Sequence, residues 1–150
     1  MKVIKAPNPI GEEHNTIFLA GSIEMGAAVN WQEQVTAALD GKDVTILNPR
    51  REDWDSSWVQ SIDNAQFREQ VEWELNALEK ADCILLYFDP TTKSPISLLE
   101  LGIHVRNPAL IVCCPEGFWR KGNVDVTCRK YNIPQIDTLG ELITKIKGLE

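Results

Sequence analysis

Two acidic residues occupy positions on predicted helices where apolar side chains are expected, and Glu74 is the first of them. A helix is predicted to run to about Lys80 from a cap at Asp63 or Asn64. Its apolar stripe consists of Phe67, Val71, Leu75 and Leu78. Glu74 projects into the middle of that stripe, where burial would keep the carboxyl group protonated and suit it to donate a proton. A salt-bridged Glu at the edge of the helix is the alternative interpretation.

The second acid is Glu100, on a helix that Ser94 is expected to cap and Pro95 to begin. The predicted buried side of this helix consists of Ile96, Leu99 and Ile103. Glu100 points within the same arc, in the second turn, where the helix dipole weakly favours an ionised carboxylate. An ionised carboxylate can attack carbon. A helix-surface Glu at the margin of the core is the alternative.

These two acids flank the same predicted strand, residues 83–88, so both can converge at one end of a sheet. A protonated and an ionised carboxyl group that face each other are the catalytic groups typical of enzymes that cleave glycosidic bonds. Asp89 closes the same strand at its carboxyl end and is a rival for the role of proton donor.

A glycine-containing turn follows the first predicted strand. Gly21, Ser22 and Ile23 offer backbone amides to a ligand, and glycine permits close approach. The turn lacks both the full dinucleotide fingerprint and the lysine of a phosphate-binding loop. A plain tight turn therefore stays an equal alternative.

A long polar loop, residues 48–62, follows the second predicted strand and reaches the same edge. Asn48, Arg50 and Trp54 are candidate substrate contacts, because aromatic rings and guanidinium planes suit stacking on a nucleobase. A Trp that only anchors the loop onto the core is the alternative.

The elements that must position these residues alternate between strand and helix. Strands are predicted at 16–20, 44–47, 83–88, 110–114 and 134–136, and helices at about 30–39, 64–80, from 94, 124–131 and 138–147. This pattern predicts an α/β fold, a flavodoxin-like or Rossmann-like doubly wound sandwich with a five-stranded parallel sheet and helices on both faces. Ligands bind such sheets beyond the carboxyl ends of the strands.

Composition narrows the possible functions. The 150 residues, 43% of them hydrophobic, are expected to form one domain over 1–150. A net charge of -7 argues against a nucleic-acid partner. The sequence has neither a signal-peptide pattern nor a membrane span, so we expect a cytoplasmic protein without a membrane partner. The cysteines lack metal-binding spacing and are interpreted as reduced core thiols. They are Cys83, Cys113, Cys114 and Cys128.

The chain resembles the nucleoside 2-deoxyribosyltransferases and the related deoxynucleoside 5'-monophosphate N-glycosidases over residues 16–131. The resemblance rests on IFLAGSI at 17–23, on Glu74 followed by Ala81 and Asp82, and on SPISLLELG at 94–102. The last segment is the most specific, because it is similar to the small-residue turn that leads to the family's nucleophilic Glu. Ser94 and Ser97 of this turn are expected to contact substrate.

The resemblance implies a retaining mechanism in which Glu100 attacks the anomeric carbon of a 2-deoxyribosyl group. Glu74 matches the family's proton donor, which is usually Asp. The sugar then passes from Glu100 to another nucleobase. The resemblance implies nucleoside and nucleobase substrates, no metal and no cofactor. It also implies a homo-oligomer with shared active sites, to which Asn123 contributes from a polar turn at residues 120–124. An Asn that only caps the helix before Val124 is the equal alternative.

Several alternatives stay open at this stage. Ser22, Ile23 and Ser94 resemble the monophosphate glycosidases, which use water as acceptor, but Glu24 stands where those enzymes carry an Arg. A carboxylate repels a phosphate, which favours an unphosphorylated nucleoside. A non-catalytic nucleotide-binding or sensor module is the alternative of another class. The sequence leaves open the accepted base, the tolerance of ribose and the number of subunits.

Overall fold

The computed structural model describes residues 1–23 and 29–148. Over these residues the strands are β1 Lys2–Lys5, β2 Thr16–Gly21, β3 Thr45–Asn48, β4 Cys83–Tyr87, β5 Leu110–Cys113 and β6 Gln135–Ile136. The helices are α1 Trp31–Ala38, α2 Ala65–Lys80, α3 Pro95–His104, α4 Lys121–Lys130 and α5 Leu139–Lys147. The strands form one sheet in the order β1-β3-β2-β4-β5-β6, and each neighbouring pair is parallel.

The predicted α/β fold with a parallel sheet is confirmed, but the sheet has six strands in the described residues rather than five. The additional strand is β1, which pairs with β3 at the edge of the sheet. Its four residues, KVIK, are too short and too charged to give a strand pattern, and lysines are typical of edge strands. Without β1, the strand order is that of the flavodoxin-like folds, and the order reverses between β2 and β4.

Helices cover both faces of the sheet. Alternation along β2 sends Phe18 and Ala20 into one apolar cluster with α2, α3 and α4, and Ile17 and Leu19 into another with α1 and α5. Because the central strands are buried on both faces, the sheet is a rigid platform for the loops at its carboxyl edge. Within the described residues, every helix is too short or too polar to cross a membrane.

Of the two helix caps predicted from the sequence, the structure contains the one at Asn64 but not the one at Ser94. Asn64 does cap α2, because its side chain accepts a hydrogen bond from the Phe67 amide at 3.0 Å. Ser94 precedes Pro95 at the start of α3, but it lies in the left-handed region at φ +47° and makes no capping hydrogen bond with its side chain. The predicted polar turn at 120–124 is mostly the first turn of α4, which begins at Lys121.

The apolar stripe of α3 faces outward, so the prediction that it forms the buried side is wrong. Ile96, Leu99 and Ile103 are 57%, 59% and 53% exposed. The helix instead buries Ser97, Glu100 and Leu101. Only Leu101 of these packs in the main core, because the rest of the inner side of α3 borders a cleft rather than the sheet.

Helix α2 differs from its prediction in a similar way. Trp73, Ala77 and Leu78 face the sheet and are buried, whereas Leu75 is 42% exposed. Glu74 lies at the boundary between the buried side and the cleft. Both acids therefore point inward, although for a reason that the apolar stripes did not indicate.

Candidate active site

A cleft of about 1160 Å³ lies at the carboxyl edge of the sheet, between α2, α3 and the loops that follow β2 and β3. Most of the predicted site residues line it: Gly21, Ser22, Ile23, Asn48, Arg50, Trp54, Glu74, Ser94, Ser97 and Glu100. A shallower hollow of about 440 Å³ lies on the outer side of α2, around Arg68 and Glu72, and none of the predicted residues lines it. The larger cleft is therefore the candidate active site.

Glu74 enters this cleft from the third turn of α2 and is partly buried. Burial raises the pKa of its carboxyl group to about 7, and a hydrogen bond from Gln70 opposes the increase. In that bond, Nε2 of Gln70 donates to Oε1 of Glu74 at 3.1 Å. The carboxyl group can therefore hold a proton near neutral pH and give it to a bound molecule.

Glu100 enters the cleft from α3 and is 9% exposed. Burial and, to a smaller extent, the charge of Glu74 together raise its pKa to about 8. This direction contradicts the expectation that the helix dipole keeps Glu100 ionised, because the dipole is worth at most about 2 kcal/mol even at a buried position and desolvation exceeds it. Within the described residues, Oε2 of Glu100 is buried without a hydrogen-bond partner.

The two carboxyl groups are coupled, since the charge of one changes the pKa of the other. Near neutral pH such a pair favours a state with one proton, in which one group is an acid and the other a nucleophile or base. The arrangement can therefore protonate a leaving group while it attacks or stabilises the carbon left behind.

Gly21 ends β2 at a point where only glycine fits. Its φ is +140°, and a Cβ atom there would lie 2.2 Å from the carbonyl oxygen of Tyr87 on β4. The glycine that we expected to admit a ligand is thus required by close packing of two strands. It still borders the cleft and carries Ser22 to the edge of the sheet.

Ser22 belongs to a group of three hydroxyl side chains at the amino end of α3. Its Oγ makes a hydrogen bond with Oγ of Ser94, and Oγ1 of Thr92 lies 3.1 Å from the first and 2.7 Å from the second. Ser22 also accepts a hydrogen bond from the Asp89 amide at 2.8 Å. Thr92 was missed in the sequence, because no pattern marks a loop threonine as a neighbour of a residue 70 positions earlier.

Asp89 is buried and does not line the cleft. Its carboxylate accepts hydrogen bonds from the Val29 amide at 3.3 Å, the Thr91 amide at 2.9 Å and the Thr91 hydroxyl at 2.7 Å. These hydrogen bonds fix the turn that follows β4 and connect it to the residues before α1. The geometry assigns Asp89 to this structural task and does not bring it to the two glutamates.

The loop after β3 closes one side of the cleft. The Asn48 side chain accepts a hydrogen bond from the Arg50 amide at 3.0 Å, and Nε of Arg50 donates to the Gln32 side chain at 3.3 Å. Burial lowers the pKa of Arg50. Trp54 packs edge-on against Trp58, with ring centroids 5.0 Å apart. Among the described residues, the indole nitrogen of Trp54 is buried without a hydrogen-bond partner.

Gln70 is the main cleft residue that the sequence analysis missed. It is 5% exposed and contacts Glu74 directly. Its position four residues before Glu74 was an available signal, because residues at that spacing share one face of a helix.

Asn123 lies in the first turn of α4, where it is exposed, and does not line the cleft. Its contact with the sugar of a neighbouring subunit stays a prediction. Glu24, which bears on the choice between nucleoside and nucleotide, lies outside the described residues.

Fold and site together define a flavodoxin-like α/β protein with a pair of inward carboxyl groups in a cleft at the carboxyl edge of the sheet. A family model described as nucleoside 2-deoxyribosyltransferase like matches residues 14–118, so the chain belongs to this family. The matched range contains both glutamates.

Solved structures agree on the fold. The chain is similar to a structure described as a conserved protein from Enterococcus faecalis V583, with a TM-score of 0.60 and 15% identity, covering 89% of this chain and 97% of that chain. At this identity the similarity concerns the fold alone. A search of curated proteins found no match.

Proposed function

We propose that the protein is a nucleoside 2-deoxyribosyltransferase that cleaves the N-glycosidic bond of 2'-deoxynucleosides. The observation that carries the proposal is the coupled pair Glu74 and Glu100, two inward carboxyl groups from neighbouring helices in one cleft. Membership of the family supports the same chemistry.

The reactive form of the pair is the one in which the single proton is on Glu74 and Glu100 is ionised. In the first step, a carboxylate oxygen of Glu100 attacks the anomeric carbon and forms an ester bond to the sugar. The bond between that carbon and the base nitrogen breaks, and its electron pair stays on the base, which takes the proton of Glu74. In the second step, a nitrogen of another base attacks the anomeric carbon and displaces Glu100. The incoming base returns its proton to Glu74, so both carboxyl groups regain their starting states.

Three features of the cleft support a nucleoside as the bound molecule. Trp54 offers an aromatic surface and a buried N–H without a partner in the described residues. Apolar side chains of α2 and α3 line the same wall as the glutamates, which suits a flat base. Asn48 and Arg50 join them on the loop after β3.

A hydrolase that acts on deoxynucleoside 5'-monophosphates is the second candidate. The three neighbouring hydroxyl side chains of Ser22, Ser94 and Thr92 favour it. These side chains gather at the amino end of α3, where the helix dipole attracts an anion. In this alternative the same glutamates act, and water takes the place of the second base.

We further propose that the active form is a homo-oligomer that covers the outer side of the cleft. Leu75, Ile96, Leu99 and Ile103 expose apolar surface beside the two glutamates. Exposed apolar patches of this kind are typical of protein interfaces. A second copy on this surface would exclude water from the glycosyl ester, which favours transfer over hydrolysis. Asn123 is our candidate for a contact from the neighbouring copy.

The test is incubation of the protein with each common deoxynucleoside, with and without an isotope-labelled copy of its own base. Chromatography then follows label in the nucleoside and unlabelled free base. Label that enters the nucleoside supports the transferase, because only a glycosyl-enzyme open to a second base exchanges it. Free base that accumulates without label exchange contradicts the transferase and favours the hydrolase.

The same assay on deoxynucleoside 5'-monophosphates separates the second candidate. Glu100→Ala is expected to abolish activity while circular dichroism stays unchanged, and Glu116→Ala, at an exposed acid in a turn outside the cleft, is the control. Absence of turnover with every nucleoside and nucleotide would overturn both enzymatic proposals and leave a nucleotide-binding module.

A further inference from the structure

Gln70 is held in one orientation by two hydrogen bonds from the same atom. Its Nε2 donates to the Pro49 carbonyl at 2.8 Å and to Oε1 of Glu74 at 3.1 Å. If the amide nitrogen and oxygen were exchanged, the amide oxygen would face the Pro49 carbonyl oxygen, and two acceptors would repel each other. The orientation with the nitrogen toward Pro49 is therefore the stable one. Both N–H groups of the amide are therefore used.

The amide oxygen of Gln70 has no partner in the described residues, although it is buried. A buried acceptor without a donor destabilises the protein, and a ligand that supplies a donor removes that cost. Gln70 lines the cleft and its amide group contacts Glu74, so the unpartnered oxygen belongs to the same wall of the cleft as the acid.

The same hydrogen bond defines which oxygen of Glu74 carries the proton. Oε1 accepts from Gln70, so a proton on the carboxyl group resides on Oε2, which receives no hydrogen bond from the described residues. The cleft therefore presents a donor, Oε2–H of Glu74, beside an acceptor, Oε1 of Gln70.

This donor and acceptor pair is complementary to one edge of a 6-aminopurine. Adenine offers N7 as an acceptor beside the N6 amino group as a donor. Guanine offers two acceptors side by side, N7 and O6. Hypoxanthine carries the same 6-oxo group and therefore offers the same two acceptors. We propose that Gln70 selects 6-aminopurines, with its Oε1 accepting from N6 while Glu74 gives its proton to N7. The proposal rests on the proposed function and names the base that the site prefers. Gln70 also acts as a positioning residue for Glu74.

The first test measures binding of free bases, which does not depend on turnover. Titration calorimetry at pH 6.5 compares adenine, hypoxanthine and unsubstituted purine on the wild-type protein. Adenine is expected to bind about tenfold or more tightly than either of the others. Equal affinity for adenine and hypoxanthine would overturn the proposal without any variant.

The second test removes the acceptor. Gln70→Leu and the more nearly isosteric Gln70→Met are expected to bind adenine and hypoxanthine with equal affinity. Gln66→Leu, an exposed position one turn earlier on α2, keeps the wild-type preference and controls for changes to the helix. A preference for adenine that survives both Gln70 variants would contradict the assignment.

Turnover distinguishes this inference from the proposed function. The ratio of kcat/KM for deoxyadenosine to that for deoxyinosine is expected to exceed ten in the wild type and to fall to about one in Gln70→Met. If the wild-type enzyme turns over deoxyadenosine and deoxyinosine with equal kcat/KM, the role of Gln70 in base selection is overturned and the proposed function stands. Selective binding of adenine without turnover of any nucleoside overturns the proposed function alone.

Discussion

The charge on Glu74 raises the pKa of Glu100 across the gap between α2 and α3. Burial raises both values, to about 7 for Glu74 and about 8 for Glu100, so the pair loses its two protons close to neutral pH. Because the groups interact, the two apparent values belong to the pair rather than to either residue. This coupling gives the cleft its predicted pH dependence.

The first prediction concerns the pH profile of kcat/KM for deoxynucleoside cleavage. Activity requires one ionised and one protonated carboxyl group. It is expected to fall below about pH 7, as both carboxyl groups of the pair become protonated, and above about pH 8, as both become ionised. Initial rates between pH 5 and pH 10 measure both limbs. A profile that stays flat from pH 5 to pH 9 would contradict the roles of the pair.

The second prediction separates the acid from the nucleophile. Glu74→Gln removes the proton donor but keeps the shape, and is expected to slow cleavage of poor leaving-group bases by roughly 10²- to 10⁴-fold. Bases that leave readily need less protonation and are slowed less. Rates for a series of base-modified deoxynucleosides provide the measurement, with Glu72→Gln, an exposed acid on the same helix, as control. An equal decrease for every base would count against Glu74 as the acid.

The third prediction follows from the raised pKa of Glu100. The folded state holds this proton at a pH where the unfolded chain, with a value near 4.5, has lost it. The stabilising contribution is complete below about pH 4.5 and disappears as pH rises through about 8. Glu100→Gln is therefore expected to have a larger free energy of unfolding than the wild type above pH 8, by up to several kcal/mol, and no such gain near pH 4.

Urea denaturation at pH 4, 6, 7 and 9 measures this difference. Glu116→Gln, an exposed acid, serves as the matched control and should follow the wild type at every pH. A Glu100→Gln variant whose stability relative to the wild type does not change with pH would show that Glu100 is not desolvated in the folded protein.

The fourth prediction concerns Gly21. In Gly21→Ala, the new Cβ would lie 2.2 Å from the Tyr87 carbonyl oxygen at a φ of +140°, so we expect a loss of roughly 3 kcal/mol or more of stability. Gly41→Ala is the control, because Gly41 also has a positive φ, +79°, but has open space around its Cβ position. That variant should lose only about 1–2 kcal/mol. Thermal denaturation compares the two, and equal losses would contradict the packing argument.

The fifth prediction tests the proposed oligomer. Leu99→Lys adds a charge to the exposed apolar surface of α3 beside the cleft and is expected to dissociate the assembly and lower the ratio of transfer to hydrolysis. Val126→Lys, at a position on α4 that is 69% exposed, should leave both properties unchanged. Sedimentation velocity measures the assembly. A wild-type protein that is monomeric at assay concentration would overturn this part of the proposal.

The sequence determined the layered fold and the two acids at the centre of the site. Alternating apolar runs and helical patterns predicted five strands and five helices that lie within the described residues, because burial of β2 and β4 on both faces leaves a strong hydrophobic signal. Strand β1 was missed because a four-residue edge strand with two lysines leaves no hydrophobic signal in the sequence. Helical spacing singled out Glu74 and Glu100 as inward acids, but the apolar stripes on which that prediction was based are partly or wholly exposed.

Only the tertiary structure decided how those acids are surrounded. Helical spacing gives the relative angles of side chains but not which angle faces the sheet, so the stripe of Ile96, Leu99 and Ile103 was assigned to the wrong side. The raised pKa of Glu100 depends on packing and on the charge of another helix. Asp89 ends its strand beside the site in sequence, but in the fold its carboxylate accepts hydrogen bonds from the Val29 and Thr91 amides and does not line the cleft. Sequence specifies which groups a chain carries, whereas desolvation and orientation arise only when distant segments pack together.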